Sequence, residues 1–126
     1  MALTLDAGAL IAIDRGDRRV HALLKDATRN GWVVTVPAPV VGQVWRDGAR
    51  QARLSRALGA CRVEPTSDEA ARAAGVLLGK AELTDVIDAL VVVGAARRGD
   101  EVLTSDPADL VALVAAQPAP VTLTVV

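Results

Sequence analysis

Aromatic side chains are almost missing: the 126 residues hold two Trp, no Phe and no Tyr. The core must therefore be built from Val, Leu, Ile and Ala, and base stacking on aromatic platforms is nearly excluded. A single cysteine, Cys61, excludes an internal disulfide framework and a cysteine-based zinc site. A single histidine, His21, excludes His-rich metal sites and leaves no Ser–His arrangement for metal-free hydrolysis. Neither charge sign dominates, with 14 Lys and Arg against 15 Asp and Glu. No overall basic field therefore points to nucleic acid, and any such contact must come from a local patch. No apolar run is long enough to span a bilayer. The opening residues lack the basic start of a secretory signal, and acids interrupt their short apolar run. A soluble, cytoplasmic protein is the expectation. There is no Gly-x-x-x-x-Gly-Lys-Ser/Thr loop, and no Gly-x-Gly-x-x-Gly follows the first strand.

What is present is an aliphatic, globular chain. Hydrophobic residues make up 52% and charged residues 23%, a composition that folds. The length suits one domain over residues 1–126. Leu3 to Leu5 read as a buried strand ending at Asp6, followed by a helix over Ala7 to Ile13. Val20, Leu23, Leu24 and Ala27 recur at helical spacing, so a second helix runs to about Arg29, where Asn30-Gly31 stops it. Trp32 to Val36 is β-branched and apolar, hence a strand. Pro37 and Pro39 open a third helix, expected to continue through Trp45 to Ala52. On it Val41, Val44, Trp45, Gly48 and Ala52 form one stripe, and Gln43, Arg46, Asp47 and Arg50 the opposite one. A short helix over Leu54 to Leu58 and a weak strand at Cys61 to Val63 follow. Ser67 caps a helix from about Asp68 to Gly79. Thr84 reads as the N-cap of a helix from Asp85 that is apolar almost all round, hence interior, and ends at Gly99. Glu101 to Ser105 form a strand, Asp106-Pro107 opens a short helix to about Ala115, and Val121 to Val126 form the last strand. Strands alternating with helices predict an α/β fold, a parallel sheet covered on both faces.

In open sheets of this kind, sites lie beyond the C-terminal ends of the strands. Asp6 and Asp106 fall there, and Asp85 and Asp88 lie in the first turn of the interior helix. If the first and fourth strands are neighbours, all four acids converge. Asp6, Asp85 and Asp106 each have a plainer reading as helix caps or first-turn acids. Asp88 is harder to dismiss, because a carboxylate among apolar residues is expensive unless paired or bound to a cation. Lys80 is the nearest cation in sequence and supplies the salt-bridge alternative. Several unpaired Asp residues repel one another until a divalent cation relieves them, and oxygen-only ligands suit Mg²⁺ or Mn²⁺. Such a site activates water and neutralises charge on a phosphodiester.

Four segments then carry a family resemblance. Leu3-Thr4-Leu5-Asp6 runs into Ala7-Gly8-Ala9-Leu10. Val40-Val41-Gly42-Gln43-Val44-Trp45-Arg46 is the second segment. Thr84-Asp85-Val86-Ile87-Asp88-Ala89-Leu90 is the third, and Val102-Leu103-Thr104-Ser105-Asp106-Pro107-Ala108-Asp109-Leu110 the fourth. In their order and spacing the chain resembles, over essentially its whole length, the PIN domain, and within it the VapC-type toxins of bacterial toxin–antitoxin pairs. The resemblance implies a three-layer α/β/α sandwich with a central parallel sheet. It implies a metal-dependent endoribonuclease that hydrolyses RNA phosphodiesters at an acidic Mg²⁺ or Mn²⁺ site and leaves a 5′-phosphate. On it, Asp6, Asp88 and Asp106 carry over as the catalytic, metal-holding acids. Asp85 and Asp109 are accessory acids, and Thr104 or Ser105 is the hydroxyl that steadies a carboxylate or a water. A homodimer and a cognate antitoxin, whose tail enters the active-site groove, are the partners implied.

One position departs from the pattern. The family usually has Glu on the third helix, where this chain has Gln43. An amide oxygen brings no charge and is a poor base, though the amide also donates to phosphate. Either the remaining acids suffice, or the chain is a catalytically weak RNA- or antitoxin-binding module of the same fold. A solvated polar position is the plain alternative for Gln43. A receiver-like phosphorylation domain is disfavoured, because adjacent acids are missing after the first strand and no lysine stands at the expected fifth-strand position. Arg46 and Arg50, at helical spacing beyond Gln43, are candidates to hold substrate phosphate. Arg53, Arg56, Arg97 and Arg98 read as a solvated charged face. Trp32 and Trp45 read as core, with Trp45 alternatively an anchor for a dimer or antitoxin helix. His21 reads as an exposed bystander and Cys61 as a small buried hydrophobe.

Overall fold

The computed structural model describes residues 2–126. The strands are β1 (Ala2–Leu5), β2 (Val33–Pro37), β3 (Arg62–Glu64), β4 (Glu101–Thr104) and β5 (Leu123–Val125). The helices are α1 (Ala7–Asp14), α2 (Arg18–Arg29), α3 (Ala38–Val44), α4 (Ala52–Gly59), α5 (Asp68–Ala81), α6 (Val86–Arg98) and α7 (Ala108–Ala115). All strand pairs are parallel and their order is β3-β2-β1-β4-β5. Thr4 of β1 stands opposite Thr35 of β2 and Val102 of β4. Helices α1 to α4 pack together on one face, and α5, α6 and α7 on the other. The expected three-layer α/β/α architecture is the observed one.

The core is aliphatic, as the scarcity of aromatics requires. Leu5, Leu10, Ile13, Val36, Val91, Val92, Leu103 and Leu110 are buried in it. Each such side chain stabilises the fold by roughly 1.5–3 kcal/mol. The central helix α6 buries Ala89, Leu90, Val91, Val92 and Ala95 and packs on β1, β2 and β4. Gly99, in the left-handed region at φ 72°, ends it.

The structure departs from the sequence reading at four places. Helix α3 stops at Val44 and does not continue to Ala52: Trp45 turns extended, at φ −66° and ψ 130°. Its ring covers Gly48, where a Cβ would lie 2.8 Å from Trp45 Cζ2, and Trp45 stays partly in solvent instead of joining the core. The buried Gln51 holds the loop: its Oε1 accepts from the Arg46 and Asp47 N–H groups at 2.7 and 3.0 Å, and its Nε2 donates to Val44 O at 2.9 Å. The N-cap of α6 is Asp85, not Thr84; its carboxylate accepts from Ile87 and Asp88 N–H. Asp106 is not a cap, since Pro107 takes the N-cap position of α7 and no side chain caps it. Arg98 is not a solvated cation: it bridges Asp100, Glu64 and Thr4 under the sheet.

Candidate active site

Strand order decides where chemistry can occur. The chain leaves β1 toward β2 on one side, and β4 lies on the other, so a crevice opens beyond the C-terminal ends of β1 and β4. Asp6 directly follows β1, and Ser105 and Asp106 directly follow β4. Helix α6 presents Asp85 from its N-cap and Asp88 from its first turn, and α7 presents Asp109 from its own first turn.

Asp6 is buried, and its Oδ1 accepts from Ala9 N–H at 2.9 Å, which caps α1. Capping and clustering therefore coexist in one carboxylate. Burial pushes its carboxyl up. The Thr104 hydroxyl and the Ala9 and Gly8 N–H groups oppose that rise, and the Asp106 charge adds to it. Thr104 is fully buried and also accepts from Asp106 N–H at 3.1 Å, so one hydroxyl serves both acids. Of the two candidate hydroxyls, Thr104 is thus the one that steadies carboxylates. Ser105 instead lies against Gly8, where a Cβ would collide with the Ser105 side chain and stand 3.1 Å from its backbone N. Glycine at position 8 lets the β4–α7 loop close over the start of α1.

Asp88 is half-buried and its carboxyl is pushed up to about 6. Burial is the largest cause, followed by the charges of Asp85, Asp6, Asp109 and Asp106. Four carboxylates from three parts of the chain thus act on Asp88. Among the described residues no cation pairs with Asp88; Lys80 forms no ion pair with it. As the side chains stand, no group of three His, Cys, Asp or Glu among the described residues encloses a metal position.

The three remaining candidates sit differently. Gln43 is half-buried in the last turn of α3, beside α1, and its amide takes part in none of the described hydrogen bonds. Arg46 folds back on α3, its Nη1 donating to Trp45 O at 2.7 Å and Gly42 O at 3.2 Å, where a cation favours the helix C-terminus. Arg50 faces Asp47 at 3.8 Å in solvent. Neither arginine figures among the charges acting on Asp6 or Asp88. Gln51 was missed as the clamp that sets this loop. The Asp47-Gly48 dipeptide, a turn signal, was the clue in the sequence.

No family model matches the chain, and no curated protein matches its sequence. Solved structures do match its shape. VapBC2 from Rickettsia felis, bound to a DNA fragment from its promoter, has a chain 16% identical, with a TM-score of 0.74, over 100% of this chain and 99% of that one. FitAcB from Neisseria gonorrhoeae has a chain 17% identical at TM-score 0.68, over 96% of this chain and 95% of that one. A toxin–antitoxin complex from Klebsiella pneumoniae has a chain 18% identical at TM-score 0.65, over 87% of this chain and 90% of that one. At such identities the likeness is one of fold, and the fold is the PIN-like one the resemblance implies.

Proposed function

We propose that this chain is a VapC-like toxin, a cytoplasmic endoribonuclease that works with Mg²⁺ or Mn²⁺. The observation that carries the reading is the convergence of Asp6, Asp85, Asp88, Asp106 and Asp109 at the strand-order reversal with no cation among them. The donor set fits a hard divalent ion: every candidate ligand atom is a carboxylate oxygen, and the charge is uncompensated. Asp6, Asp88 and Asp106 would hold the ion. When bound, it supplies Lewis acidity and neutralises charge on the phosphodiester.

The chain's own residues do the rest. Asp6 is fixed by the Ala9 N–H and steadied by the Thr104 hydroxyl, so it offers a set oxygen at the head of the sheet. Asp85 holds the first turn of α6, which aims Asp88. Asp88, raised to about 6 by burial and by its neighbouring carboxylates, would gain most from a cation's charge, and one carboxylate of the cluster would accept the proton from water. Arg46 must leave its carbonyl partners to reach a phosphate. RNA is the substrate in this reading, a cognate antitoxin the regulator and a homodimer the assembly.

The second reading, a binding module with weak catalysis, draws on two observations: Gln43 adds no charge, and among the described residues no three acids enclose a metal position as they stand. Cleavage of a structured-RNA pool separates the two. Wild type, Asp88→Asn and Gln43→Glu are compared in Mg²⁺, Mn²⁺ and chelator. The nuclease reading expects metal-dependent cutting by wild type that Asp88→Asn abolishes. Activity seen only in Gln43→Glu supports the binding module. No cutting by any folded variant overturns the nuclease.

A further inference from the structure

A cavity lies on the β2–β3 side of the sheet, between α2 and α4, where the second residue of β2, Val34, and the residue before β3, Cys61, form its floor. Its volume is about 420 Å³, within the roughly 300–1,000 Å³ of small-molecule sites. The exposed side chains of Lys25, Arg53 and Arg56 line it together with His21, the Arg53 guanidinium lying against the Gly16 turn, and no carboxylate lines it. None of the ion pairs among the described residues uses Lys25, Arg53 or Arg56. The chain as a whole carries a net charge of −1, so three unpaired cations around one hollow are a local excess that its own acids leave unneutralised.

We propose that this cavity binds the phosphate groups of a nucleotide. Three positive charges around so compact a space match the charge density of a polyphosphate, or of successive phosphodiesters. A guanidinium pair presents forked donors to phosphate oxygens. The floor of Leu24, Val34, Ala57 and Cys61 is aliphatic and holds a sugar or base by contact alone. No Phe, Tyr or Trp lines it, and the His21 imidazole is the one ring at its wall. A free nucleotide and a strand of RNA offer the same chemistry. The site is separate from the acidic crevice: Asp6 and Asp106 follow the C-terminal ends of their strands, whereas Val34 and Cys61 lie at strand starts.

The test uses the full chain in chelator, which keeps the acidic crevice silent. A labelled, mixed-sequence single-stranded oligoribonucleotide is the probe for fluorescence anisotropy, with ATP as competitor. The Arg53→Ala/Arg56→Ala double variant should bind about tenfold or more weakly, and the slope of log affinity against log salt should fall by about one to two. Arg72→Ala, which removes an exposed cation of α5, should bind as wild type. Displacement by ATP assigns the cavity to free nucleotides; binding that ATP does not displace assigns it to the strand. Lys25→Ala, on a different helix, provides a second variant should the double variant melt early. Wild-type affinity in both the double variant and Lys25→Ala overturns the proposal. So does binding of a polyglutamate peptide in place of either nucleotide probe. Cleavage assays on the same variants keep the outcomes apart: intact metal-dependent cutting with no loss of probe binding sinks the cavity and spares the nuclease.

Discussion

Asp85 acts on Asp88 twice. Its Oδ1 accepts the Asp88 N–H at 3.1 Å, which closes the first turn of α6. Burial raises the Asp88 carboxyl most, and the Asp85 charge is the next largest of the causes that together push it up to about 6. The same residue that positions Asp88 therefore makes its ionised form costly.

The pH dependence of stability follows in sign. Asp88 holds its proton more tightly folded than unfolded. Its contribution is full below the ordinary aspartate value of 3.8 and is lost as pH rises through about 6. Asp6, raised by burial, changes in the same direction. Asp88→Asn removes the ionisable group. In chelator at about pH 8 the variant should be more stable than wild type by on the order of 1 kcal/mol, solvent screening of the half-buried carboxylate allowed for. By about pH 4 the difference should vanish. Calorimetry at the two pH values reads this directly; equal melting at both would remove the cost assigned to Asp88.

Gly8→Ala should strike the site through its scaffold. The new methyl meets the Ser105 side chain and backbone, so the β4–α7 loop must move away from α1 and carry Asp106 with it. The expected destabilisation is about 1–3 kcal/mol by denaturant unfolding. Adding Ser105→Gly should recover part of it, because the collision is mainly with that side chain. No recovery would place the strain elsewhere.

Arg98 is a stability determinant away from the acids. Its Nε donates to Asp100 Oδ2 at 2.8 Å, its Nη2 to Thr4 Oγ1 at 3.0 Å, and its Nη1 to Glu64. Thr4 Oγ1 in turn donates to Asp100 Oδ2 at 2.7 Å. Arg98→Met leaves Asp100 buried with its charge unpaired and should cost about 3–5 kcal/mol. Arg98→Met with Asp100→Asn should cost less than the single change. A single variant as stable as wild type would show the network to be dispensable.

Cys61 should be chemically quiet. Burial pushes its thiol up to about 11, and only the thiolate is a good nucleophile. Alkylation of the native chain by iodoacetamide near neutral pH should be far slower than in denaturant. Equal rates would contradict the half-buried position.

Much of the fold was legible in local pattern. The β-branched run before Pro37, the period of Val20, Leu23, Leu24 and Ala27, and the all-round apolar segment behind Asp85 each specify an element within a short window. Backbone propensity and side-chain burial act there over a few residues. The helix stop at Val44 was masked by a continuing apolar stripe, because Trp45, Gly48 and Ala52 fit a helix as well as they fit the observed turn. What breaks the tie is Gln51, whose side chain meets Val44 O and the Arg46 and Asp47 N–H groups only once the chain has folded back.

The acids show the same division. That Asp6, Asp85, Asp88 and Asp106 end strands or begin helices is written in their neighbours. That they act on one another depends on β4 lying beside β1, a pairing across almost the whole chain. Likewise Arg98 pairs with Glu64, 34 residues away, and Arg53 and Arg56 join Lys25 around one cavity. Local order comes from short-range sterics and periodic burial. Which charges are paired, and which are left facing one another, is an outcome of strand order, since Coulomb interactions depend on distance in space and not along the chain.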